Sequence, residues 1–97
     1  MIEILKPLRT KIDSIDEELV TLLVKREQIV RDVAQIKEEH GIAVILPERI
    51  EEVIAQATAK ATAQGGTDYY VRNIYKRIIE LSCDLENHLM DDKNTNS

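Results

Sequence analysis

Arg26 and Lys37 are spaced to act together on an anion. Leu8, Ile12, Ile15, Leu19 and Leu22 recur at alternating intervals of four and three residues, the period of one buried helix face. The count continues through Arg26, Val30, Val33 and Lys37. Two cations therefore fall on an apolar seam. Burying an unpaired guanidinium or ammonium is costly, so such positions either meet carboxylates or are kept for an anionic ligand. Eleven residues separate them, three helical turns, so both project from one face about 16 Å apart along the axis. Long side chains leaning together can hold a small dianion between them. Arg9, beside Leu8, lies about 25 Å further along the same helix, out of reach within one chain. If two such helices pair antiparallel about a twofold near residue 20, the partner's Arg9 comes level with residue 31. Dimerisation then assembles a three-cation site, twice.

Further along, Ser82 interrupts an apolar stripe and Glu86 follows one turn later on nearly the same face, while Glu48 stands at the start of a helix. A hydroxyl and two carboxyls facing three cations make a pocket for a dicarboxylate that also carries a hydroxyl. No metal-ligand set and no nucleophile–base pair of recognisable spacing is present, so the chemistry implied is electrostatic and positional. Each residue also has a plainer reading. Arg9 and Glu86 suit a solvated helix surface, Arg26 can pair with Glu18 or Glu27, and Ser82 can bond a backbone carbonyl. Lys37 and Glu48 both suit the helix dipole where they stand. Tyr69, Tyr70, Tyr75, His40 and His88 read as packing and surface residues. The joint spacing, and no single position, carries the functional reading.

These residues need long helices to place them. The first is expected to open near Pro7, whose missing N–H is tolerated in a first turn, and to run to about Glu39, where His40-Gly41 stops it. At about 1.5 Å per residue it spans roughly 45–50 Å, too long for the interior of one small domain, and a second copy of the same helix is the simplest cover. An apolar loop, Ile42 to Leu46, leads to Pro47-Glu48, the start of a second helix. That helix carries Ile50, Val53, Ile54, Ala57 and Ala61 on one face and ends before Gly65-Gly66. Thr67 or Asp68 caps a third helix with Val71, Tyr75, Ile78, Ser82, Leu85 and Leu89 on its stripe. The expected fold is all-α: three helices per protomer in an intertwined six-helix homodimer. Residues 1–90 form the helical domain and the polar residues 91–97 a disordered tail.

Composition narrows the partners. Thirteen Lys and Arg against eighteen Asp and Glu give a net charge of −5, and there is no Trp or Phe, which argues against a nucleic-acid footprint. The single cysteine, Cys83, excludes an internal disulfide and, with two distant histidines, makes no zinc site. No apolar run approaches the roughly twenty residues that cross a bilayer and no leader pattern opens the chain, so a cytoplasmic location is expected.

The run LRTKIDSIDEELVTLLVKR (residues 8–26), Lys37 eleven residues later, then PERI and IIELSCDLE, resembles the all-helical chorismate mutases of the AroQ type over residues 5–90. That resemblance implies an intertwined dimer and a cofactor-free pericyclic rearrangement of chorismate to prephenate. It also implies roles: Arg26 and the partner's Arg9 bind the two carboxylates, Lys37 donates to the ether oxygen as charge grows there, Glu48 accepts from the ring hydroxyl, and Ser82 assists a carboxylate. Where the family commonly has Gln, this chain has Glu86, which donates a hydrogen bond only when protonated. The apolar loop Val44 to Pro47 replaces an acid and an Arg often found there. It gives a partial likeness to isochorismate-pyruvate lyases, with 4-amino-4-deoxychorismate mutase a further possibility. The non-enzymatic alternative is a helical dimerisation module whose seam cations pair across a twofold with Glu17, Glu18 or Asp32.

Overall fold

The computed structural model describes residues 2–95 and is built of three helices: α1 (Ile2–His40), α2 (Pro47–Ala63) and α3 (Asp68–Thr95). Both α1 and α2 pack against α3. Pro47 opens α2 at the first helical position, with Leu46 before it in an extended conformation. The end of α2 is a Schellman turn. Gly66 N–H donates to Ala61 O at 2.7 Å and Gly65 N–H to Thr62 O at 3.1 Å, with Gly65 at φ +82°.

The end of α1 repeats that turn: Ile42 N–H reaches Lys37 O at 2.8 Å and Gly41, at φ +63°, donates to Glu38 O. Its beginning departs from expectation. The helix opens at Ile2, and Pro7 lies inside it. Pro7 removes one donor, the bond to Glu3, and the turn before it still propagates because the residues on either side keep theirs. At the other end, α3 runs to Thr95, so the described part of 91–97 is helical where its polar composition reads as a tail. Once the preceding turns are fixed, each further residue adds a hydrogen bond. Asn96 and Ser97 lie outside the described residues.

On α2 and α3 the apolar stripes are half-buried at every position the spacing assigns, from Ile50 to Ala61 and from Val71 to Leu89. On α1 they are not. Leu8, Ile12, Ile15, Leu19 and Leu22 remain 49–61% exposed, whereas Arg26, Val30 and Lys37 further along are half-buried beneath α3. Ala34 and Ile79 are the buried apolar residues among those described. The chain extends 58 × 29 × 17 Å with a radius of gyration of 17.3 Å, against about 12.5 Å for a compact chain of this length. Its accessible surface, 7902 Å², exceeds by roughly 2,200 Å² that of a typical monomer of its mass. A long apolar half-helix standing clear of the bundle accounts for all three observations.

Candidate functional site

The last turns of α1, the connecting loop, the start of α2 and the middle of α3 enclose a cleft of about 310 Å³. Lys37 and Glu86 meet on its wall. Lys37 Nζ lies 2.9 Å from Glu86 Oε1, with the two side chains 12% and 7% exposed, and donates to Val44 O at 2.8 Å. Glu86 Oε1 receives no aligned hydrogen bond, so charge, more than bond geometry, joins the pair. One turn before Glu86, Ser82 accepts a hydrogen bond from Arg26 Nη1 at 2.5 Å and donates to Ile78 O at 2.8 Å. The Ser82 hydroxyl therefore holds the guanidinium in place without neutralising it. Behind Arg26 and Ser82 a second groove, about 210 Å³, is walled by Leu23, Val30, Ile78, Leu81 and Leu85.

Cys83 also lines the cleft. Burial pushes its thiol up from the ordinary value and the neighbouring Glu86 carboxylate adds to the rise, against opposing pulls from Lys37 and Arg26. The thiol stays protonated near neutrality and is a poor nucleophile. Among the described residues no group of three His, Cys, Asp or Glu is placed to hold a metal ion, and no helix is long and apolar enough to cross a membrane.

Of the residues singled out by spacing, the structure brings together Arg26, Lys37, Ser82 and Glu86. It leaves Glu48 exposed and outside the cleft. The reason is helical phase: α2 and its approach turn Leu46, Arg49, Ile50 and Val53 toward the cleft, the i, i+3, i+4, i+7 face, and Glu48 stands one residue off it. Arg49 is thus a third cation at the mouth, missed in the sequence although the apolar positions 46, 50 and 53 carry the signal. Its guanidinium is paired with Glu52. Arg9 is exposed in the uncovered half of α1. Neither Glu18 nor Glu27 neutralises Arg26; Glu27 faces Arg31 at 4.0 Å.

Three helices bury a lysine–glutamate pair beside an arginine that no carboxylate among the described residues meets, in a small all-helical fold. The profile of chorismate mutase type II matches residues 8–87, and the chain belongs to that family. It is 32% identical over 93 residues to a chorismate mutase of Methanocaldococcus jannaschii, covering 95% of this chain and 93% of that protein. It is 32% identical over 87 residues to the T-protein of Enterobacter agglomerans, covering 90% of this chain but 23% of the T-protein. A 4-amino-4-deoxychorismate mutase of Streptomyces pristinaespiralis is 30% identical over 82 residues, 84% of this chain and 64% of that protein. This chain thus spans about a quarter of the T-protein and nearly all of the archaeal mutase. The likeness to isochorismate-pyruvate lyases finds no counterpart in these relatives, and no solved structure matches the chain.

Proposed function

We propose that this chain converts chorismate to prephenate at two equivalent sites of a homodimer. The observation that carries the reading is the sharing of one cleft by Lys37–Glu86 and Arg26–Ser82, on a protomer whose α1 leaves the apolar residues around Arg9 uncovered. Antiparallel pairing of two α1 helices covers that stripe and delivers the partner's Arg9 between Arg26 and Lys37. Arg26 and the partner's Arg9 then clamp the two carboxylates, with Arg49 at the mouth as a further cation. Clamping holds the substrate folded so that its reacting carbons approach, which lowers the barrier without a covalent step. As the C–O bond lengthens, negative charge grows on the ether oxygen, and the Lys37 ammonium stabilises it more in the transition state than in the ground state. Protonated Glu86 donates to the same oxygen; ionised, it competes for Lys37 and repels the growing charge. Glu48, outside the cleft, takes no part.

The test is product identity: chorismate incubated with the protein should yield prephenate, and a failure to consume chorismate sinks the proposal. Isochorismate run alongside reports the lyase alternative through salicylate and pyruvate. The wall of Val44, Leu46, Ile50 and Val53 offers no side-chain acceptor that distinguishes a ring hydroxyl from a ring amino group, so 4-amino-4-deoxychorismate is the second substrate to run beside chorismate. A purely structural module requires the seam cations to meet Glu17, Glu18 or Asp32 of a second copy. Within one chain Lys37 already meets Glu86 and Arg26 meets Ser82.

A further inference from the structure

We infer that the loop between α1 and α2 orients the catalytic ammonium, and that Gly41 is a positioning residue for Lys37; the inference rests on the reaction proposed above. Lys37 is tied to this loop twice. Its carbonyl accepts the N–H of Ile42 at 2.8 Å in the turn that ends α1, and its ammonium donates to the carbonyl of Val44 at 2.8 Å. An ammonium has three N–H donors. One goes to Val44 and one side faces Glu86, so the remaining donor direction is fixed and opens into the cleft that all three residues line. A lysine side chain is otherwise among the most mobile, and a donor left to rotate is a poor complement to charge that appears at one atom.

The loop holds this shape because Gly41 adopts φ +63°. A Cβ on Gly41 would meet nothing within 4 Å, so backbone conformation alone, not space, calls for glycine. The turn that reverses the chain after α1 is therefore also the turn that brings the Val44 carbonyl back over Lys37. The binding chemistry of Lys37 is set by a backbone atom seven residues on, a dependence no side-chain substitution at Val44 would reveal.

A backbone ester in place of the Val44–Ile45 amide tests this directly on the full chain, prepared by chemical synthesis or ligation. The ester weakens the carbonyl as an acceptor, and the N–H it removes, that of Ile45, donates to no backbone carbonyl or side chain among the described residues. The ester should lower kcat about five- to tenfold with KM within about twofold, and the melting temperature should hold. Gly41→Ala should lower kcat likewise and Gly41→Asn should recover most of it, because Asn tolerates the left-handed region. The second readout is the Lys37 NH3+ resonance in proton–nitrogen correlation spectra: slowly exchanging and visible in the wild type, broadened in the ester and in Gly41→Ala. If kcat and that resonance are both unchanged in the ester, the inference is overturned. If the wild type turns over no chorismate yet the resonance still depends on the loop, the proposed reaction fails while the orienting role stands.

Discussion

Lys37 and Glu86 are each other's counter-charge at 2.9 Å, almost shielded from water, and both lie where substrate is proposed to bind. Truncating one member of such a pair strands the other charge. Lys37→Ala should therefore lose about 10²–10³ in kcat, the scale of a single donor to a developing oxyanion, and should also melt earlier. Steady-state kinetics beside a thermal scan separates the two effects. Glu86→Gln is the converse change: it keeps the shape, replaces a competitor for Lys37 with an amide donor, and removes the requirement for a proton. At one and the same pH the Gln variant should therefore consume chorismate with a higher kcat/KM than the wild type, and an unchanged value would remove Glu86 from the mechanism. At this scale the sequence was legible where charge interrupted a regular stripe: Arg26, Lys37, Ser82 and Glu86 sit together as their spacing required. Arg49 was hidden because it stands among other charged residues in its first turn, and only the helical phase, visible once α2 is placed against α3, turns it and not Glu48 inward.

The three helices follow from local rules: Pro47 at a first position, glycine at two Schellman turns, and apolar stripes that bury on α2 and α3. What the sequence hid were ends, where a few hydrogen bonds decide, as at Ile2 before Pro7 and Thr95 after the last apolar residues. The start of α3 carries a prediction of its own. Arg72 donates to both carboxylate oxygens of Asp68, at 2.9 and 3.0 Å, one turn into the helix. The hydrogen bond from Arg72 is the main reason the Asp68 carboxyl is held below its ordinary value, its charge helping and slight desolvation opposing. A depressed folded-state value means that the stabilisation is present above the unfolded value, about 3.9, and is lost as pH falls through the folded one. The wild type should thus lose melting temperature relative to Asp68→Asn as pH drops below about 4, the two curves converging at the acid end. A constant gap across that range would show that the pair adds nothing. Its exposure keeps the effect small and sensitive to salt.

At the scale of the whole molecule the chain leaves most of the α1 stripe exposed and has a radius of gyration well beyond a compact chain's. Stripe periodicity revealed that α1 has a face to bury, and its length pointed to a second copy of the same helix as the cover; within the chain, α2 and α3 leave that face exposed. Covering about 2,200 Å² of excess surface per chain would place the interface in the obligate range, so the proposed dimer should persist at nanomolar concentrations, as analytical ultracentrifugation can check. Geometry then makes the sites interdependent in a way kinetics can count. Arg9→Ala should inactivate both sites of a homodimer, and so should Lys37→Ala. Unfolded together and refolded in equal amounts, half the dimers are mixed. In each mixed dimer one site combines both lesions, while the other receives an intact Arg9 from one chain and an intact Lys37 from the other. Activity should return to about a quarter of the wild-type level per chain. If Arg9 instead served the cleft of its own chain, the mixture would stay as inactive as its parents, and if it served none, the Arg9→Ala parent would itself stay active; with either result the crossed arrangement of the two long helices would have to be abandoned.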